Sequence, residues 1–253
     1  MIRILMHGCN GRMGRVMEEL VKEEENLAIV AGVDVYPGEE KKYPVYKIIS
    51  ACKETVDVVI DFSTATAIDE LLTFCVQNKL PLVLCTTGLS NELLEKVAEA
   101  TKQIPLLKSA NMSLGINLLM GLLKNAAKVL ATAGYDIELV EKHHNQKIDA
   151  PSGTALALVD AINDEMGQAY HYVYDRSPVR EKRGKMEIGI AAMRGGTIVG
   201  EHEVIFAGAD EVISFKHTAH SRMVFAKGAM EAARFLVGKA AGIYDMSDVI
   251  GLK

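Results

Sequence analysis

The densest run of reactive side chains lies between Glu141 and Thr154, which contains His143, His144, Lys147, Asp149 and the triplet Ser152-Gly153-Thr154. A histidine, with an unperturbed pKa of about 6.5, exchanges a proton near neutral pH. Lys147 supplies a cation for an anionic group. Ser152, Gly153 and Thr154 at the start of a helix offer free N–H groups and hydroxyls, which suit a carboxylate. The combination points to a carboxylate-bearing molecule that accepts a proton as well as a hydride. No metal is expected. Adjacent histidines on a strand point to opposite faces, and no third ligand is evident. His217 and His220 in the stretch 216–222 either line the same site or cap the last helix.

A second chemical feature stands at the N-terminus. Gly8, Gly11 and Gly14 fit G-x-x-G-x-x-G, a variant of the dinucleotide fingerprint, directly after an apolar run and before a helical pattern. Such a loop needs glycine for its tight turn and for close approach of a pyrophosphate, and the helix start presents N–H groups and partial positive charge. Arg12 can add a phosphate contact. Asp34 ends the next apolar run 20 residues after Gly14, where an acid binds a ribose 2′-hydroxyl. A carboxylate there repels a 2′-phosphate, and Val35 and Tyr36 bring no positive charge. NADH is therefore expected in preference to NADPH. No spacing places Lys41 or Lys42. Two further loops, Phe62-Ser63-Thr64 and Thr86-Thr87-Gly88, follow apolar runs, at the strand ends where ligands of open α/β sheets bind.

These residues need a scaffold. Apolar runs at 2–7, 27–33, 56–62, 80–85 and 104–107 read as strands. Helical spacing at 12–24, 65–77 and 91–101 alternates with them, giving βαβ units and a parallel sheet. After about residue 113 the pattern changes. Helices are expected at 114–133, 155–166 and 221–236, and strands at 136–142, 187–194, 197–207 and 211–218. Gly195-Gly196 predicts a hairpin between the strands at 187–194 and 197–207. The basic loop holding Arg176, Arg180, Lys182, Arg183 and Lys185 reads as a solvated loop, or as a mobile lid over an acidic substrate.

Composition narrows the field. The chain has 253 residues, 49% hydrophobic and 24% charged, with a net charge of −5. That is globular composition without a basic run, so neither disorder nor non-specific nucleic-acid binding is expected. No apolar run approaches the length of a membrane span, and the short apolar N-terminus lacks a cleavage signature, so a cytoplasmic location is expected. Cys9, Cys52, Cys75 and Cys85 form no C-x-x-C pair and read as reduced thiols.

The run Glu141-Lys-His143-His144-Asn-Gln-Lys147-Ile-Asp149-Ala-Pro151-Ser152-Gly153-Thr154-Ala155 resembles the signature of the 4-hydroxy-tetrahydrodipicolinate (dihydrodipicolinate) reductase family. The resemblance covers essentially the whole chain, including Gly-Arg-Met-Gly at 11–14, Asp61-Phe62-Ser63, Thr86-Thr87-Gly88, Ala110-Asn111-Met112-Ser113, Arg194-Gly195-Gly196, Gly200-Glu201-His202 and Ser221-Arg222. It implies reduction of a cyclic imine dicarboxylate by NADH or NADPH on the diaminopimelate route to lysine. It implies that His143 donates the proton and that Lys147 binds a substrate carboxylate and is needed for turnover. His144, Gly153 and Thr154 then bind substrate, with Ser152 in the same cradle. Gly8, Asn10, Gly11, Arg12 and Met13 hold the cofactor, Asp34 its adenosine ribose, and Phe62, Thr86, Gly88, Ala110, Asn111 and Met112 its nicotinamide side. NADPH-competent members often carry arginine where this chain has Val35 and Thr64, which strengthens the expectation of NADH. The loop at 176–184 lacks glycines usual there.

The expected fold is α/β. A Rossmann-type dinucleotide-binding domain with a parallel sheet spans 1–113 and 222–253. An α+β substrate-binding and oligomerisation domain with an open mixed, mostly antiparallel sheet spans 114–221. The resemblance further implies a homotetramer, and no nucleic-acid or membrane partner is expected. A reductase of another small keto or imino acid need not carry the 143–154 run. A non-catalytic NADH sensor would bring a helix-turn-helix or a basic patch, and neither is found.

Overall fold

In the computed structural model, which describes residues 1–109 and 111–252, strands and helices alternate through the first half of the chain. They run β1 (Ile2–His7), α1 (Arg12–Val21), β2 (Leu27–Val33), β3 (Val45–Tyr46), β4 (Val58–Asp61), α2 (Ile68–Asn78), β5 (Leu82–Leu84), α3 (Asn91–Thr101) and β6 (Pro105–Lys108). Then follow α4 (Leu114–Leu130), β7 (Asp136–His143), α5 (Gly153–Glu165), β8 (His171–Val173), β9 (Glu187–Arg194), β10 (Gly200–Ala207) and β11 (Val212–Ala219). The chain closes with α6 (Met223–Leu236), β12 (Gly242–Tyr244) and α7 (Met246–Val249). Two compact units result. One is Met1–Leu114 with Arg222–Gly251, and the other is Gly115–Ser221 with Leu252.

The first unit holds a seven-stranded sheet in the order β12-β6-β5-β4-β1-β2-β3, with every ladder parallel. Its strands are apolar on both faces because helices cover both. Ile4, Met6, Val58 and Ile60 pack on one side, in a cluster with α1 and α6 residues such as Met17 and Met230. Leu5, Val59 and Leu82 face the other side, against Leu71 and Val97 of α2 and α3. The β3 and β12 edges and helix α7 were not predicted. At two to four residues each, they are too short to carry a hydrophobic period.

The second unit holds a five-stranded sheet in the order β11-β10-β7-β9-β8. The β10–β11 and β10–β7 ladders are antiparallel, and β7–β9 and β8–β9 are parallel. Helices α4 and α5 bury one face, through Leu123, Leu158 and Ile162 against Ile137, Leu139, Val204 and Phe206. The expected hairpin at Gly195-Gly196 is corrected here. β7 lies between β9 and β10, so the glycine pair carries the chain across β7 instead of folding two strands onto each other. Two glycines signal a turn but do not say which strands the turn joins. No helix among the described residues is long and apolar enough to cross a membrane.

Candidate active site

In the first unit the glycine loop leaves β1 and enters α1. Gly8 has φ +82°, and a Cβ there would stand 2.6 Å from the Phe62 carbonyl oxygen. At Gly14 a Cβ would collide with the carbonyl oxygens of Gly8 and Cys9. Both positions therefore exclude a side chain. Gly11 caps α1 without a side-chain hydrogen bond, and the first turn has no acidic residue. No side chain of the cap or first turn neutralises the first-turn N–H groups, as a pyrophosphate site requires. Arg12 is exposed and Met13 half-buried at this helix start.

Asp34 ties the loop to the end of β2. Its carboxylate accepts from the Asn10 N–H at 2.8 Å and the Tyr36 N–H at 3.0 Å, and the Asn10 side chain donates to the Tyr36 carbonyl at 2.8 Å. A cavity of about 360 Å³ opens beside it, lined by Asn10, Asp34, Val35 and Lys47 among others. Lys41, which no spacing placed, turns onto α1 and pairs with Glu18 at 2.5 Å. Cradle, cavity and carboxylate together fit the adenosine half of a dinucleotide.

A buried carboxylate ties together the loops at Phe62 and Thr86. Asp61 is fully buried at the end of β4. It meets His7 Nδ1 at 2.8 Å and accepts from Ser63 Oγ at 2.6 Å and Thr86 Oγ1 at 2.5 Å. One side chain thus fastens β1 to the loops holding Phe62, Thr86 and Gly88. Asn111 accepts from the Ser113 N–H at 2.8 Å, and Met112 is buried. Ala110, assigned to the same contacts, lies outside the described residues.

In the second unit the alternation of β7 decides the geometry. Ile137, Leu139, Glu141 and His143 share its buried face, so the acid and the histidine emerge side by side. Glu141 is fully buried and sits 2.5 Å from His143 Nδ1. It receives a bidentate Arg194 contact at 2.7 and 2.8 Å and the Ser152 N–H at 3.0 Å. Arg194 arrives because β9 runs parallel to β7 with His143 opposite Arg194. Burial opposes the Glu141 charge, but Arg194, His143 and the Ser152 N–H outweigh it and hold the carboxyl below the usual range. An ionised Glu141 accepts Nδ1–H, which leaves Nε2 as the nitrogen that exchanges its proton. Burial lowers the His143 pKa, opposed by Glu141 and assisted by Lys147 and Arg194.

Of the predicted substrate residues, Ser152 touches this pair directly. Ser152 caps α5, its Oγ accepting from the Ala155 N–H at 3.1 Å and lying 3.1 Å from His202 Nε2. His202 packs edge-on to His143 with ring centroids 5.1 Å apart. Burial and the neighbouring His143 push its pKa down to about 4. Gly153 and Thr154 open α5, His144 is half-buried just past β7, and Lys147 is part-buried in the following turn.

Other expectations change. His217 stands opposite His202 in the β10–β11 ladder. Neither His217 nor His220 caps α6, whose N-cap is Arg222 without a side-chain hydrogen bond. In the basic loop Arg180, Lys182 and Lys185 are exposed, as a solvated loop predicts, while Arg176 and Arg183 are paired. Arg183 reaches Asp136 at 2.7 Å, Glu138 at 3.0 Å and the Glu187 carbonyl at 2.6 Å, while Arg176 pairs with Glu138 and Glu187. Arg176 and Arg183 thus bind acidic residues of the interior strands β7 and β9. All four cysteines are free thiols.

Asp61, His7, Glu141, Arg194 and His202 received no role from the sequence. The signal for Glu141 was its i, i+2 spacing to His143 on a strand. For Asp61 it was an acid ending an apolar run.

The nucleotide cradle in one unit and the acid–histidine–lysine cluster in the other are the make-up of a pyridine-nucleotide-dependent reductase. Family models described as "Dihydrodipicolinate reductase, N-terminus" and "Dihydrodipicolinate reductase, C-terminus" match residues 2–112 and 115–250. The chain is 54% identical over 252 residues to 4-hydroxy-tetrahydrodipicolinate reductase of Caldanaerobacter subterraneus subsp. tengcongensis, covering 99% of this chain and 98% of that one. It is 50% identical to the enzyme of the same name from Clostridium novyi, over the full length of both. A dipicolinate-bound dihydrodipicolinate reductase from Paenisporosarcina sp. TG-14 shares the fold with TM-score 0.81 at 23% identity, covering 99% of each chain. A probable dehydrogenase from Thermotoga maritima has TM-score 0.60 at 13% identity, covering 99% of this chain and 93% of that one. The chain belongs to the dihydrodipicolinate reductase family.

Proposed function

We propose that this protein reduces the cyclic imine dicarboxylate derived from 4-hydroxy-tetrahydrodipicolinate to tetrahydrodipicolinate, the reductive step of diaminopimelate and lysine biosynthesis. The observation that carries this reading is the Glu141–His143 contact beside Lys147 and the start of α5. A titratable histidine, a cation and a helix start close together in one unit support a proton donor beside a carboxylate cradle. Lys147 and the N–H groups of Gly153 and Thr154 bind substrate carboxylate, with Ser152 and His144 lining the same cradle. His143 delivers the proton from Nε2, oriented through Nδ1 by Glu141.

The dinucleotide, when bound, supplies the hydride. Gly8, Asn10, Gly11, Arg12 and Met13 hold its pyrophosphate, Asp34 its ribose, and Phe62, Thr86, Gly88, Asn111 and Met112 its nicotinamide side; Ala110 is assigned there by resemblance alone. NADH is the preferred form, because the Asp34 carboxylate would repel a 2′-phosphate and the adjacent Val35 carries no charge. Val35→Arg is expected to tighten NADPH about tenfold, the yield of one charge-assisted contact, with little change for NADH. Fluorescence titration of both cofactors measures this.

A cytoplasmic homotetramer completes the reading. It is supported by the edge strands β8 and β11, each paired on one side only among the described residues, since such edges need covering. A monomer by analytical ultracentrifugation would contradict it. For the function itself, expression in a bacterium lacking this reductase should restore growth without added diaminopimelate. Failure of the folded protein to do so would refute the assignment.

A further inference from the structure

Asp149 follows Lys147 by two residues and places its Oδ1 2.8 Å from the Lys147 Nζ. Its backbone is held independently, because the Asp149 carbonyl accepts from Arg194 Nη2 at 2.5 Å. The guanidinium that clamps Glu141 therefore also fixes the segment from which Asp149 reaches Lys147. Burial works against ionisation of Asp149, but Lys147, its own N–H and the Gly153 N–H outweigh burial and hold the carboxyl below the usual range. Gly153 is the first residue of α5. The partners of this internal carboxylate are thus the ammonium and the helix start assigned above to a substrate carboxylate. The Asp149 side chain is 56% exposed and that of Lys147 24%, so the acid can swing into solvent while the lysine stays in place.

We propose that Asp149 is an internal stand-in for a substrate carboxylate, engaging Lys147 and the start of α5 until a dicarboxylate takes its place. This rests on the assignment of Lys147 and Gly153 to substrate binding. Two consequences follow from the exchange. Lys147 keeps its orientation and charge compensation without substrate, so binding replaces one ion pair by another. Weak anions are also rejected, because a ligand must outcompete an intramolecular carboxylate. That makes Asp149 an affinity- and specificity-setting residue for anionic ligands.

The test is a double-mutant cycle on the full chain, titrated calorimetrically with pyridine-2,6-dicarboxylate (dipicolinate). Asp149→Asn keeps the shape and removes the charge. Because a largely exposed ion pair is worth at most about 1 kcal/mol, it should tighten dipicolinate by about three- to fivefold. Lys147→Ala should weaken it by about tenfold or more. In the Lys147→Ala background the effect of Asp149→Asn should vanish, since the stand-in has lost its partner. Tightening that persists undiminished in that background means simple charge repulsion and overturns the proposal. So does an Asp149→Asn protein that binds as wild type or more weakly while Lys147→Ala still loses affinity. Unchanged binding by Lys147→Ala overturns the underlying assignment of Lys147 instead. A second readout needs no variant. The Asp149 carboxyl, followed by carbon NMR in the wild-type protein, should rise in pKa on saturation with dipicolinate, and an unmoved titration would count against displacement.

Discussion

His143→Gln is expected to lower kcat by about 10²–10⁴-fold, the worth of a positioned general acid, while KM changes far less. Glutamine fills similar space and can still face Glu141, so the buried face of β7 stays packed. What is lost is the proton on Nε2 at the moment charge develops in the substrate. The pH profiles carry the sign of the effect. The donor must be protonated, so rate falls as pH rises through its pKa. In the free protein burial holds that pKa below the ordinary histidine value, so the alkaline limb of kcat/KM lies low. A bound dicarboxylate adds negative charge beside the ring and favours its protonated form, so the corresponding limb of kcat lies higher. In His143→Gln both limbs should disappear from the residual activity. Steady-state kinetics over a pH series checks this, and a variant with near-normal turnover would remove His143 from the proton-donor role.

Glu141→Gln is expected to damage both stability and turnover. The carboxylate is fully buried and answers Arg194, His143 and the Ser152 N–H together. Removing its charge leaves the Arg194 guanidinium uncompensated, which costs about 3 kcal/mol by the usual penalty for breaking a buried pair. The wild-type contribution has a definite pH window. The folded Glu141 pKa is lowered, so its stabilisation is full above the unfolded value of about 4.3 and is lost as pH falls through the folded value. Turnover should fall by about tenfold or more, because a neutral amide orients Nδ1 less firmly and no longer supports the imidazolium. Adding Arg194→Met should recover much of the stability by replacing the orphaned charge with apolar volume, but should not recover kcat. Denaturant unfolding and kinetics on both variants separate the two roles. Recovery of full turnover in the double variant would show that Glu141 serves packing alone.

The part of the site legible in sequence was the part written contiguously. The glycines at 8, 11 and 14 and the residues from His143 to Thr154 lie in short runs, and each run folds into one strand-to-helix turn. Asp34 was legible because a fixed distance along one βα unit places it. What stayed hidden was fixed by pairing between distant strands. Glu141 and Arg194 are 53 residues apart and meet only because β9 lies beside β7. His7 and Asp61 are 54 residues apart and meet through the β1–β4 ladder. The misplaced hairpin has the same origin. Strands are expected at 187–194 and 197–207, but nothing in those segments reveals that β7, from much earlier in the chain, lies between them. The pairing of Arg176 and Arg183 stayed hidden for the same reason, because their partners Asp136 and Glu138 lie on β7, far earlier in the chain.

The central claim is reduction of the imine dicarboxylate at the expense of a reduced pyridine nucleotide. It is tested most directly by following NADH absorbance with the purified protein while the pathway's synthase supplies substrate from pyruvate and aspartate semialdehyde. NADH should be consumed mole for mole with substrate formed, only when synthase and both of its substrates are present. A steady NADH level under continuous substrate supply, with NADPH equally inert, would contradict the account.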